Sequence, residues 1–195
     1  MISECFPNAD SFARQQLEKA NRFALDHRVP LYGHIDVTYR CNLRCIHCYA
    51  GCERQDVAEI TEESTASTIV EILTEAADLG CLRLLISGGE PLCRPDFEEI
   101  YRSAKELGLL VTVFMNGTLV TDRLIKMFRE FPPFFVEVSI YGATPETYEG
   151  VTGVPGSYEA CMAGVERLRT GEVRMGLKTV MLQRNIHELA AIEGL

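Results

Sequence analysis

Residues 41–48 read Cys41-Asn42-Leu43-Arg44-Cys45-Ile46-His47-Cys48, three cysteines in CxxxCxxC spacing behind the extended, largely apolar residues 33–39. A second short stretch, Gly88-Gly89-Glu90-Pro91, stands behind another extended run, Leu84-Leu85-Ile86-Ser87. Thiolates are soft ligands that suit iron–sulfur clusters and zinc. A cubane cluster has four irons, so a loop of three cysteines leaves one iron open to a small molecule. Zinc is the second reading. It takes four ligands in a closed structural site, and His47 or Cys52 would supply the fourth. Cys52 also extends the run to CxxxCxxCxxxC, near the bacterial ferredoxin run. The first spacing differs and no proline follows the last cysteine, so Cys52 reads as a bystander. Cysteines with a purely structural role are the third reading.

Outward from this loop the chain alternates strands and helices. Residues 10–28 form a polar amphipathic helix, with Phe12, Leu17, Ala20 and Ala24 at roughly helical spacing and Pro30 at its end. This gives a helical lead-in over 1–32 ahead of a core domain over 33–195. Residues 33–39, 82–87, 109–114, 134–140 and 175–182 read as extended. Residues 62–79, 95–107, 122–131, 158–169 and those from 186 onward read as helical. Thr61, Thr121, Ser157 and Asn185 stand where caps belong, and Gly80, Gly108 and Gly171 where helices stop.

Runs such as Leu82-Arg83-Leu84-Leu85-Ile86 and Leu109-Leu110-Val111-Thr112-Val113 lack strict alternation, which predicts parallel strands covered on both faces. Five strand–helix repeats with right-handed crossovers make an α/β fold with a curved parallel sheet. Such sheets place ligands at the carboxyl ends of their strands, where the cysteine loop, Gly88-Gly89-Glu90, Asn116-Gly117 and Ser139 all fall. The last strand is expected to offer a bare edge.

Nineteen basic against 28 acidic residues give a net charge of -9, which argues against nonspecific nucleic-acid binding and against an anionic membrane surface. No apolar run approaches a membrane span, and Met1-Ile2-Ser3-Glu4-Cys5 opens no signal peptide, so a cytoplasmic protein is expected. Eight cysteines in such a chain point to metal or thiol chemistry rather than disulfides. Cys5, Cys52, Cys81, Cys93 and Cys161 read as plain small residues.

Two residues without side chains at Gly88 and Gly89 let the backbone approach a ligand, while the Glu90 carboxylate at the rim can hold an amino group. Arg44 either stabilises a reduced cluster by its charge or points to water. Asn116 suits a left-handed turn as well as a ligand contact. Ser139 is a ligand contact or a strand hydroxyl bonded to backbone, and Lys178 points into the sheet's concave side or reaches solvent.

CxxxCxxC after the first strand together with Gly-Gly-Glu-Pro after the second resembles the radical S-adenosylmethionine superfamily, from about Leu31 onward. The stretches Asp36-Val37-Thr38-Tyr39-Arg40-Cys41 through His47-Cys48-Tyr49 and Ser139-Ile140-Tyr141-Gly142-Ala143-Thr144 through Gly156-Ser157-Tyr158 resemble members with an auxiliary-cluster (SPASM-type) domain. The resemblance implies a partial parallel (β/α) barrel, with about five of the usual six repeats present. It also implies a [4Fe-4S] cluster on Cys41, Cys45 and Cys48, with S-adenosylmethionine chelating the fourth iron. Gly88, Gly89 and Glu90 would hold the cofactor's amino group, His47 would lie near its adenine, and Ser139 near its ribose or carboxylate. Asn116-Gly117-Thr118 matches the family's third-strand turn. Where many related members carry an arginine, this chain reads Glu149-Gly150-Val151-Thr152-Gly153, and set against that family the 195 residues are expected to lack the sixth strand and an auxiliary domain.

The activity implied is reductive cleavage of S-adenosylmethionine to methionine and a 5'-deoxyadenosyl radical that abstracts a substrate hydrogen. Electrons would come from a reduced flavodoxin- or ferredoxin-type donor. Within the resembled subgroup the substrate is expected to be a peptide or protein side chain. A small metabolite is the alternative substrate, and a noncatalytic iron–sulfur or zinc module the alternative class. No acid or base is required for the first step, so no catalytic side chain is assigned.

Overall fold

Strand pairing follows chain order. The computed structural model describes residues 9–49 and 63–195. Helix α1 (Ala9–His27) leads into β1 (Tyr32–Asp36). There follow α2 (Ala66–Asp78), β2 (Arg83–Ser87), α3 (Phe97–Glu106), β3 (Leu110–Met115), α4 (Asp122–Glu130) and β4 (Phe135–Ser139). Two helices, α5 (Pro145–Thr152) and α6 (Ser157–Thr170), precede β5 (Met175–Lys178) and the short α7 (Leu189–Glu193). The five strands make one sheet in the order β1-β2-β3-β4-β5, every pair parallel.

A parallel order that never reverses has one consequence. Right-handed crossovers between successive neighbours all fall on the same side, so helices cover only one face of the sheet. Leu84, Ile86, Val111, Val113, Val136 and Val138 are buried on that face, against Ile69, Leu73, Ile100, Tyr101, Phe128 and Leu168 of the helices. Their neighbours along each strand are only half-buried, in the alternating patterns of β3 and β4. The expectation of strands covered on both faces is therefore corrected. The second face, with His34, Asp36, Thr112, Phe114, Glu137 and Lys178, is the polar concave side.

Several element ends shift for local reasons. Helix α2 begins at Ala66 rather than 62, because the Thr65 hydroxyl accepts from Thr68 N at 3.2 Å. Thr121 caps α4 as expected. Ser157 is the first helical residue of α6 rather than its cap, which is Gly156 at φ 78°; its hydroxyl shares a 2.8 Å hydrogen bond with Thr152. Gly80 and Gly108 stop their helices at φ 94° and 81°, whereas after α6 the left-handed residue is Glu172, one beyond Gly171. Strand β5 ends at Lys178 because Asn185 gathers the following turn: it accepts from Leu182 N at 2.8 Å and donates to Val180 O at 2.9 Å. Cys5, Cys52 and Thr61 lie outside the described residues, as do the side chains of Phe12 and Leu17. Of the described side chains of α1, only Ala24 is buried.

Helix α5 is absent from the sequence reading although its punctuation is ordinary. Thr144 caps it, Pro145 opens it, and Gly153 closes it at φ 69°. Glu188, beyond β5, clamps its start. One carboxylate oxygen accepts from Ala143 N at 2.7 Å and Thr144 N at 3.2 Å, the other from the hydroxyls of Thr144 at 2.7 Å and Thr147 at 2.6 Å. Burial opposes the charge, but these donors outweigh it and hold the carboxyl at about 2.

Glu188→Ala is expected to destabilise the chain by about 2 kcal/mol at neutral pH, since it removes the charged acceptor of four hydrogen bonds, two of them part-buried. A depressed carboxyl contributes fully above its ordinary 4.5, and the contribution fades as pH falls toward about 2. Thermal melts of wild type and variant should therefore converge through that window. A gap that stays constant to the acid end contradicts the clamp.

Candidate functional site

Beyond the ends of β1 and β2 the two chains continue to pair. Val37 N donates to Ser87 O at 3.0 Å, Gly89 N to Thr38 O at 2.7 Å, and Glu90 N to Arg40 O at 2.8 Å. Gly88 sits at φ 143°, and a Cβ there would overlap the Thr38 carbonyl; one on Gly89 would overlap the Arg40 carbonyl. The glycines thus let one backbone lie flat on the other, and that seats the stem of the cysteine loop.

The loop is held at its other end by α5. The last carbonyls of a helix lack partners within it, and here they accept from the loop: Arg44 N reaches Thr152 O at 2.8 Å and Ile46 N reaches Val151 O at 2.9 Å. Leu43 is buried beneath, and its N–H lies 3.4 Å from Cys41 Sγ. Asn42 ties the loop to the turn after β3. Asn116 Nδ2 donates to Asn42 Oδ1 at 2.9 Å, and Asn42 Nδ2 donates to Thr118 Oγ1 at 2.7 Å. The Thr118 hydroxyl returns to Asn116 Oδ1 at 2.7 Å. The left-handed residue of this turn is Gly117, not Asn116, whose side chain is the brace.

Cys41, Cys45, Cys48, His47, Gly88, Gly89, Asn116 and Ser139 line one chamber of about 380 Å³ at the carboxyl ends of the strands. The sequence thus located all of these wall residues. Glu90 is the exception. Its carboxylate is fully buried, accepting from Asn116 N at 2.6 Å and Leu92 N at 3.2 Å, and it is no part of the wall. The Asn116 and Leu92 N–H groups both find their acceptor in this carboxylate, one on each oxygen. Burial pushes its pKa up to about 7 against the pull of both donors. Arg44 is exposed, outside the wall.

Tyr141 is one of the wall residues that sequence reasoning missed, with His34, Ser87 and Phe114 among the others. Its ring meets His47 edge-on at 4.6 Å, and burial pushes its phenol up to about 12. Its place two residues after Ser139 was the available signal. Lys178 also lines the chamber, its Nζ 2.9 Å from the Phe114 ring centre and 3.5 Å from Glu137. Burial lowers the pKa of His47, leaving a neutral flat ring whose buried Nδ1 has no hydrogen-bond partner among the described residues. Burial also raises the Cys41 thiol, so a metal would displace a proton there. Cys81 and Cys161 are buried core residues.

The donor set fits an iron–sulfur group with a small polar ligand: three thiols on one loop, an orphaned ring nitrogen, and a wall made of backbone. Among the described residues no three His, Cys, Asp or Glu side chains converge on one ion.

A one-sided parallel (β/α) sheet curved round a three-cysteine rim defines a partial barrel with a metal–cofactor mouth. The family model of the Radical SAM superfamily matches residues 35–193, and the chain belongs to that family. It is 36% identical over 154 residues to the AdoMet-dependent heme synthase of Methanosarcina barkeri (strain Fusaro / DSM 804), covering 79% of this chain and 43% of that one. It is 29% identical to the PqqA peptide cyclase of Rhizobium meliloti (strain 1021), covering 79% and 40%. The crystal structure of Streptococcus suis SuiB bound to S-adenosylmethionine superposes with a TM-score of 0.74 at 18% identity, over 92% of this chain and 41% of that one. The chain spans about two fifths of the length of the relatives it matches. No helix among the described residues is long and apolar enough to cross a membrane.

Gly89→Ala is expected to destabilise the chain by about 2–3 kcal/mol and to lower iron uptake, because the stem of the cysteine loop must move. Wild-type iron content and melting temperature would contradict this. A carboxyl raised from 4.5 to about 7 makes the folded state less stable as pH rises through that interval. Denaturant unfolding should show a shallower decline across it for Glu90→Gln than for wild type; parallel profiles would contradict the assignment.

Proposed function

We propose that this chain is the cofactor-binding core of a radical S-adenosylmethionine enzyme. The observation that carries the reading is the gathering of the three cysteines, Gly88, Gly89, His47, Asn116 and Ser139 around one chamber. Cys41, Cys45 and Cys48 would hold a [4Fe-4S] cluster and leave one iron for S-adenosylmethionine. When bound, the pair supplies one-electron cleavage of the sulfonium and a 5'-deoxyadenosyl radical that takes a substrate hydrogen.

The chain's own residues bind and orient. The wall at Gly88 and Gly89 presents backbone, suited to a close-lying amino group. The neutral His47 ring, propped on Tyr141, offers a flat face and an unused nitrogen to a base. Ser139 and Asn116 add polar groups to the wall. Glu90 acts at one remove, holding Asn116 N and thereby the turn that braces the cysteine loop. No side chain is required to move a proton in the cleavage step.

A peptide or protein side chain as substrate is supported by the likeness to PqqA peptide cyclase, and by the fold shared with SuiB, which has been solved bound to precursor peptide SuiA. A small-molecule substrate is supported by the higher identity, 36%, to a heme synthase. The electron donor of this reading is a reduced flavodoxin- or ferredoxin-type protein.

Anaerobic reconstitution with iron and sulfide should give a brown chain whose visible absorption changes on adding S-adenosylmethionine and which yields 5'-deoxyadenosine with dithionite. Cys45→Ala should lose the iron, while Cys52→Ala should keep it. Colourless protein carrying stoichiometric zinc, or equal iron loss in both variants, overturns the reading.

A further inference from the structure

The concave face continues below the cofactor chamber. A second cavity of about 370 Å³ lies there and shares His34 and Phe114 with the first. Its titratable lining residues include His34, Glu137 and Arg83. Two of these are already paired, His34 with Asp36 at 3.1 Å and Glu137 with Lys178 at 3.5 Å. Arg83 has no carboxylate partner among the described residues. Its guanidinium lies 4.8 Å from the Phe134 ring centre and 5.3 Å from that of Tyr32. Arg174 stands 5.3 Å from the same Phe134 ring, so a second positive charge reinforces the first.

This happens in a chain of net charge -9, where carboxylates are plentiful. A guanidinium stacked on aromatic rings is fixed in orientation, so it gives up little freedom when an anion docks on its fork. Neighbouring Leu85 and Thr112 and the shared Phe114 give the walls between Arg83 and the upper chamber a mostly apolar character.

Register sets the distance. Arg83 pairs with Leu110, and Glu137 pairs with Phe114, four residues further along β3. At the usual rise, Arg83 stands about 13 Å of strand below the level of Glu137, and about 20 Å below that of Ser139 and Lys178. A molecule that touches Arg83 and still presents a carbon to the upper chamber is elongated.

We propose that the lower cavity is a substrate pocket for an elongated apolar arm ending in a carboxylate, and that Arg83 sets this preference. The proposal rests on the upper chamber holding the cofactor as described above. The carboxylate comes either from a free small acid or from an acidic peptide side chain. The volume of about 370 Å³, the size of a small-molecule pocket, favours the small acid.

The test uses the iron-loaded chain and two sets of probes, followed by calorimetry and saturation-transfer NMR. One set is butanoate, hexanoate and octanoate with methyl octanoate as the neutral control. The other is a capped peptide with one central glutamate and its glutamine counterpart. Affinity for the acids should rise with length, fall at least tenfold in Arg83→Gln, survive in Arg83→Lys, and be absent for the ester. Arg83→Glu should instead take up octylamine. Binding of the glutamate peptide in place of the acids, with the same dependence on Arg83, identifies the peptide as the source.

Equal binding by wild type and Arg83→Gln, equal binding of ester and acid, or binding of neither set overturns the proposal. S-adenosylmethionine affinity is measured on the same samples. Loss of cofactor binding with Arg83-dependent acid binding intact counts against the proposed function alone. The reverse pattern counts against the pocket alone.

Discussion

The carboxyl rim of this protein depends on a backbone-to-backbone contact between residues 38–40 and residues 88–90. Side chains are excluded from it, since neither Gly88 nor Gly89 has room for a Cβ. That contact fixes where Cys41 leaves the sheet. The far end of the loop then docks on carbonyls at the end of α5, whose start is clamped by Glu188 from beyond β5. The cysteine loop therefore draws its position from the first, second, fourth and fifth strand segments, and through Asn42 and Asn116 from the third. A loop braced from every repeat can hold a bulky inorganic group without a fourth protein ligand.

The winding of the sheet supplies the second half of the account. Because the strand order never reverses, helices pack one face and leave the other for ligands. The buried face carries the stability, with its valines and isoleucines against aromatic and leucine side chains of the helices. The concave face carries charge, and each charged residue on it has an identifiable contact: Asp36 for His34, Glu137 for Lys178, aromatic rings for Arg83. Division of labour between faces explains why strands such as β4 read Phe135-Val136-Glu137-Val138-Ser139 rather than as an unbroken apolar run.

Much of this was legible in the sequence. The repeat of strand and helix and the rim location of the motifs follow from spacing and from turn chemistry, while the site residues from Cys41 to Ser139 were named through the family resemblance. What was hidden depends on contacts across repeats. Nothing local distinguishes Glu90 as a brace from Glu90 as a ligand contact; the brace rests on two backbone N–H groups, one of them 26 residues away in the chain. Helix α5 was readable from Thr144, Pro145 and Gly153, but eight residues are too few for a periodic signal to stand out. Coverage of both faces was misjudged because Leu84-Leu85-Ile86 carries an apolar residue on the concave side as well.

The central claim is that three thiolates hold a four-iron cluster and leave one iron for the cofactor. Mössbauer spectra of the chain loaded with iron-57, taken with and without S-adenosylmethionine, test it most directly. The account predicts that one iron site in four changes its isomer shift on cofactor addition while the other three stay as they were. Spectra with four equivalent thiolate-bound sites, insensitive to the cofactor, would contradict it.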